Sequence, residues 1–286
     1  MINQDGLLNK QTYVFKQTPS CELKADVYGF DENKTRPVVI WIHGGALMGG
    51  NRDNIPDYQI RLYVEAGYTL VSFDYRLAPA AKISSIISDL SDGFSWVYND
   101  GPKLFNIDPQ RIAVIGHSAG GYLALMSGVI AKDKVKAIVS FYGYGDIIGA
   151  WYSKPDPYYC SQGLVPKENA HERFYLYCRQ NGLWPKEVTG YDPFEEPEKI
   201  YPYCPIRNIT EDYPPTLLIH GDIDTDVPCA QSILMAYEML KIKARHELHL
   251  LSGFGHAFDM PENAMEKPEI AEAFKHVLWF LKTNVK

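Results

Sequence analysis

Three short stretches of this 286-residue chain carry side chains that could work together as a nucleophile, a base and an acid. The first is Gly116-His117-Ser118-Ala119-Gly120, which follows the apolar, β-branched run Arg111-Ile-Ala-Val-Ile115 and leads at once into the Ala/Leu/Met-rich stretch from Ala119 to Ile130. Strand, tight turn and helix, with a serine between two glycines, is the nucleophile-elbow pattern G-x-S-x-G. The glycines are needed because helix and neighbouring strand crowd the serine, leaving no room for a Cβ beside it. Its hydroxyl then stands exposed above a helix N-terminus whose dipole favours negative charge. A serine hydroxyl is a poor nucleophile at neutral pH, so it needs a base to take its proton and a group to orient that base. Both stand downstream. The apolar run Thr216-Leu-Leu-Ile219 is followed by His220-Gly-Asp-Ile-Asp-Thr-Asp-Val-Pro228, and the run Glu247-Leu-His-Leu-Leu251 by Ser252-Gly-Phe-Gly-His-Ala-Phe258.

Of the eight histidines, His171 lies in an aromatic-rich insertion, His246 and His249 flank or alternate along the last strand, and His43, His117 and His220 belong to strand-end turns. His256 alone has a post-strand loop to itself and is the expected general base. Asp222, Asp224 and Asp226 share one turn, where aspartate is favoured for local reasons anyway. Asp224 is taken as the acid. Acyl transfer also needs backbone donors for a tetrahedral oxyanion. The N–H of Ala119, next after the serine, is one. The others are expected from His43-Gly-Gly-Ala-Leu-Met-Gly-Gly50, which resembles the HGGG-type motif of lipases and esterases. Gly45 and Ala46 would donate there, with Gly44 allowing close approach. The loop lacks a G-K-[ST] ending, which argues against phosphate binding.

These residues need a frame that brings strand ends together. Arg36–Ile42, Tyr68–Asp74, Arg111–Ile115, Val135–Phe141 and Pro215–Ile219 are continuous apolar runs, the signature of strands buried on both faces. Thr12–Phe15 and Leu23–Tyr28 precede them as strands, and Glu247–Leu251 closes the series. Helical patterns fall between, over Asp57–Glu65, Lys82–Tyr98, Ala119–Ile130, Cys229–Lys241 and Ile270–Leu281. Within the second, Ile83, Ile86, Ile87, Leu90, Phe94 and Val97 form one apolar stripe. Alternation of this kind predicts an α/β fold with a mostly parallel central sheet and helices on both faces. Residues 151–205 break the rhythm. They hold 12 of the 37 aromatic residues and 8 of the 19 prolines, and a structureless loop that long is improbable in a compact domain. They read as a cap inserted into a core formed by residues 1–150 and 206–286, with a short helix near Lys167–Gln180 and Tyr158, Tyr159 and Trp184 as rings for an apolar or sugar-like ligand.

The bulk properties exclude several classes. A net charge of −7, without a basic stripe or tail, argues against nucleic acid or an anionic membrane surface. Five scattered cysteines with no C-x-x-C pair argue against a metal site or a disulfide framework. No apolar run reaches the length of a membrane span, and Met1-Ile-Asn-Gln-Asp-Gly6 carries no signal-peptide pattern. The expectation is a cytoplasmic protein with no cofactor and no metal, acting on a small molecule. A homodimer is left open.

Four segments resemble the α/β-hydrolase superfamily, and within it the hormone-sensitive-lipase-like esterases. They are His43–Ala46, Asp74-Tyr-Arg-Leu-Ala-Pro79, Asp108–Gly121, and His220–Asp224 together with Gly255-His256. The resemblance implies an α/β-hydrolase fold with an inserted cap, Ser118 as nucleophile, Asp224 as triad acid, His256 as base and Arg76 as a structural residue. It also implies carboxylic esters as substrates. The chain departs from the family pattern at His117, where an aspartate is common, at Ala46, where a glycine is common, and in a cap drawn from the middle of the chain instead of N-terminal helices. The same triad would serve a peptidase or amide hydrolase, and a hydrolase fold can also bind ligands without catalysis. Activity is expected to decline as pH falls through the mid-sixes, where a protonated His256 cannot accept the serine proton.

Overall fold

A computed structural model describes residues 9–286, so the leader reading at Met1–Gly6 lies outside the described residues. In chain order the elements are β1 (Lys10–Gln17), β2 (Glu22–Tyr28), β3 (Arg36–Ile42), α1 (Asp57–Glu65), β4 (Thr69–Phe73), α2 (Ile83–Asn99), α3 (Gly101–Phe105), β5 (Ile107–His117), α4 (Ala119–Ile130) and β6 (Val135–Phe141). After β6 come five short helices, α5 (Ala150–Ser153), α6 (Pro157–Cys160), α7 (Phe174–Asn181), α8 (Trp184–Thr189) and α9 (Pro197–Ile200). The chain then returns as β7 (Thr216–Gly221), α10 (Ala230–Lys241), β8 (His246–Leu251) and α11 (Pro268–Asn284).

The eight strands form one sheet in the order β1-β2-β4-β3-β5-β6-β7-β8. β1 and β2 pair antiparallel, as do β2 and β4, while every later pairing is parallel. The unbroken apolar runs are explained by burial on both faces. Along β3, Val38, Ile40 and Ile42 pack into one core with residues of α2, α4 and α10, while Val39 and Trp41 point into a second core with residues of α1 and α11. β5 divides in the same way, Ile112 and Val114 against Ala113 and Ile115. Because every central strand is parallel, the C-terminal ends of β3, β5 and β7 open on one edge. Ligands bind at that edge in open α/β sheets. Among the described residues no helix is long and apolar enough to cross a membrane.

The main departures are local. β5 runs from Ile107 to His117, beyond the expected Arg111–Ile115 at both ends, and the sharp bend falls on Ser118 as expected. The expected helix at Lys167–Gln180 is split, a 3-10 turn over Lys167–Glu172 followed by α7.

Candidate active site

Ser118 sits between β5 and α4 with φ 56° and ψ −117°, a left-handed conformation that costs a non-glycine residue about 1–3 kcal/mol. Two backbone bonds hold it there. Its N–H donates to Phe141 O at the end of β6 (2.9 Å), and its carbonyl accepts from Tyr122 N–H in α4 (3.0 Å). A Cβ at Gly120 would run into the carbonyl oxygen of Ile42, so α4 can lie against β3 only with glycine at this position.

His256 meets the serine from the loop after β8. Its Nε2 is 3.0 Å from Ser118 Oγ, and its Nδ1 is 2.7 Å from Asp224 Oδ2. A carboxylate only accepts, so Nδ1 carries the proton and Nε2 is left free to accept one from the serine. Asp224 is fixed in turn: Oδ1 takes the N–H groups of Asp226 (2.8 Å) and Val227 (2.9 Å), and Oδ2 also lies 3.2 Å from His220 Nε2. Burial alone would raise the Asp224 pKa, but hydrogen bonds from His220 and His256 outweigh it and hold the carboxyl well below the usual range. Burial alone would lower the His256 pKa. The hydrogen bond to Asp224 and the charges of Asp226, Asp224 and Asp259 reverse that, so it lies above the ordinary 6.5.

The three aspartates of the turn therefore part company. Asp222 accepts the Gly253 N–H at 2.6 Å, closing its own loop against the next. Asp224 meets the imidazole. Asp226 reaches the other side of His256, with Oδ2 at 3.5 Å from Nε2.

The loop after β3 lies opposite. The N–H groups of Gly45, Ala46 and Ala119 donate to no protein atom among the described residues, as the oxyanion reading requires. A Cβ on Gly44 would stand 2.8 Å from His117 O and 3.3 Å from Ser118 Cβ, so a larger residue would press on Ser118. The loop is stapled from behind. His43 stacks on Tyr75 (centroids 4.1 Å apart), the Tyr75 hydroxyl donates to His43 O (2.9 Å), and Trp184 Nε1–H donates to Ala46 O (2.9 Å). Burial pulls the His43 pKa down to about 4, so that ring is neutral and its Nδ1–H can donate to Gly44 O at 2.8 Å.

Behind the serine, His117 stacks on Phe141 and places Nε2 2.8 Å from the buried Asp259 Oδ2. Tyr142 donates to Asp259 Oδ1 (2.5 Å) and Gln59 to Oδ2 (2.9 Å). Burial alone would raise the Asp259 pKa, but the His117 ring and the Tyr142 hydroxyl keep it below the ordinary value. His117, a departure from the family pattern in the sequence, thus ties the elbow to the loop that carries His256. Arg76 makes a forked pair with the buried Asp89 (2.7 and 2.8 Å), pinning the loop after β4 to α2.

Ser118 opens into a cavity of about 910 Å³ lined largely by Met48, Ala78, Phe174, Tyr175 and Met260, with Asp226 beside the histidine. Of the rings expected to enclose a ligand, Tyr158, Tyr159 and Trp184, none lines this cavity. Trp184 is fully buried and stacked on Tyr152, 4.0 Å away, with its indole N–H spent on Ala46 O in the loop after β3. Tyr159 is turned to Asp226, and Tyr158 stays on the surface. His171, Phe174 and Tyr175 face the cavity instead.

Sequence reasoning did not foresee Arg179. Its buried guanidinium pairs with Asp156 (2.5 Å) and Asp226 (3.0 Å), and its Cζ lies 4.5 Å from the Tyr159 ring and 4.9 Å from Tyr152. The one signal was an arginine in the aromatic-rich stretch, where a cation needs carboxylates or ring faces.

Comparison with known proteins agrees with this architecture. Esterase LipC of Mycobacterium tuberculosis is 30% identical over 251 residues, covering 82% of this chain and 56% of LipC. The non-reducing polyketide synthase adrD of Penicillium rubens is 24% identical over 345 residues, and the match covers 98% of this chain but only 14% of the synthase. An esterase from Pyrobaculum calidifontis superposes with a TM-score of 0.70 at 23% identity, covering 96% of this chain and 84% of the esterase, which makes the fold an α/β-hydrolase fold. The BD-FAE family model matches residues 25–239, three quarters of the chain, and the chain accordingly belongs to the BD-FAE family, of the α/β-hydrolase type.

Proposed function

We propose that this chain is a serine hydrolase that cleaves a small carboxylic ester through an acyl-enzyme. One observation carries the reading: Ser118 Oγ, His256 and Asp224 stand in a line of 3.0 and 2.7 Å contacts at the floor of a mostly apolar cavity. Ser118 attacks the carbonyl carbon while its proton passes to His256 Nε2. The negative oxygen that forms turns toward the N–H groups of Gly45, Ala46 and Ala119, each such donor contributing about 10²–10³ in rate. Collapse expels the alcohol with the proton from His256. A water, deprotonated by the same ring, then releases the acid and restores the serine. Residues 151–205 act as the cap, supplying Phe174 and Tyr175 as cavity wall. The names of LipC and the Pyrobaculum protein support the ester as the bond cleaved.

The test is Ser118→Ala. Hydrolysis of p-nitrophenyl acetate should fall to background, and a fluorophosphonate probe that labels the wild type should leave the variant unlabelled. Undiminished turnover by a folded Ser118→Ala protein overturns the reading.

A further inference from the structure

Asp226 is held too firmly, and left too incomplete, to be a mere turn residue. Its Oδ1 accepts from three groups at once, the hydroxyls of Tyr159 and Tyr175 (2.6 Å each) and Arg179 Nη1 (3.0 Å). Arg179 Nη1 also donates to the Asp226 carbonyl oxygen at 2.9 Å. Among the described residues no hydrogen bond reaches Oδ2, which lies 3.5 Å from His256 Nε2, and Asp226 lines the same cavity as Met48, Phe174 and Met260.

The position of that oxygen relative to the reaction is fixed by chemistry. Nε2 must hand its proton to the leaving-group oxygen, so that oxygen comes within hydrogen-bond distance of Nε2. Asp226 Oδ2 borders the same nitrogen. A hydroxyl on the second carbon from the ester oxygen therefore comes within reach of Oδ2. An alkyl group there would displace water from a carboxylate oxygen and put nothing in its place. Sites built to receive a hydroxyl discriminate against its absence more strongly than apolar pockets discriminate by size.

We propose that Asp226 Oδ2 is a leaving-group subsite that accepts a hydrogen bond from a neighbouring hydroxyl, so that monoesters of diols and polyols are the preferred substrates. This rests on the ester-hydrolase reading above.

The experiment measures kcat/KM for 2-hydroxyethyl acetate against n-propyl acetate, which is nearly the same size, and for 2-methoxyethyl acetate against n-butyl acetate. The wild type should favour the hydroxyethyl ester about tenfold or more, as expected for a hydrogen bond to a charged group, and should show no such preference for the methoxyethyl ester, which cannot donate. In Asp226→Asn the amide oxygen is claimed by Tyr159, Tyr175 and Arg179, so the NH₂ faces the cavity. The hydroxyethyl preference should then fall toward one and the methoxyethyl preference rise. A hydroxyethyl ratio near one in the wild type overturns the inference whether or not the variant folds. So does an equal preference for the methoxyethyl ester, or a ratio unchanged by Asp226→Asn. Hydrolysis of n-propyl acetate without hydroxyl preference removes only this inference, whereas no hydrolysis of any of the four esters removes the ester reading with it.

Discussion

His256 is bracketed by carboxylates. Asp224 holds Nδ1, Asp226 borders Nε2 and Asp259 stands three residues along the chain. Each favours the imidazolium, and together they outweigh the burial that opposes it. A raised pKa means the ring stays protonated to a higher pH, and the protonated ring cannot accept the serine proton. The acid limb of the kcat/KM profile should therefore have its midpoint above 6.5, not in the mid-sixes as a free histidine would give. Asp226→Asn removes one of these charges and should move that midpoint down. A wild-type midpoint below 6.5 would contradict the bracketing. At this scale the sequence was informative up to a limit. The glycines around Ser118 and the isolation of His256 mark both residues from sequence, because backbone crowding and loop position leave a written trace. Spacing alone could not separate three aspartates in one turn. What separates them is what each carboxylate meets, from His256 on β8's loop to Gly253 and the Tyr159–Arg179 cluster.

Among the elements, the central strands were legible because burial on two faces leaves an unmistakable run of apolar residues, and β3 and β6 match their expected bounds residue for residue. α3 was not, since five residues bounded by Gly101 and a left-handed Asn106 are too few to show a period. The pairing of elements across the sheet left even less trace. His117 at the end of β5 and Asp259 beyond β8 are 142 positions apart, yet they form a buried pair. Replacing the ring by phenylalanine would keep the stacking on Phe141 and leave the buried Asp259 Oδ2 without the imidazole nitrogen beside it. Removing one partner of a buried polar contact costs about 1–3 kcal/mol, so His117→Phe should lower the unfolding free energy by about 2 kcal/mol in urea titrations. Adding Asp259→Leu should not restore the loss, because the Tyr142 hydroxyl and the Gln59 amide would then lose their buried acceptor. If His117→Phe leaves the urea midpoint unmoved, the pair does not hold the elbow to the histidine loop.

Across the whole molecule, the feature sequence described least well is the stretch between β6 and β7. Its composition marked it as an insertion that must bury rings. Its helices are four to eight residues long and interrupted by prolines, so no period reveals which ring faces the cavity. Tertiary contacts make that choice, and many of them converge on Arg179. From α7 its guanidinium reaches Asp226, which follows β7, and Asp156 before α6, while Tyr152 and Tyr159 supply ring faces. One cation thereby joins the stretch between β6 and β7, proposed above as the cap, to the loop that carries Asp224. Arg179→Met fills similar space but leaves Asp156 and Asp226 without their cation. It should lower stability by about 3–5 kcal/mol and raise KM for esters more than it lowers kcat, because the wall made by Phe174 and Tyr175 loosens while Ser118 and His256 remain on the sheet. The double variant Arg179→Met with Asp226→Asn separates charge from packing. If the ion pair couples cap and core, the second change should relieve part of the strain left by the first, and the two losses should fall short of their sum by about 1–3 kcal/mol. Strict additivity in thermal or urea unfolding would mean that the rings around Arg179 hold the cap without help from its charge.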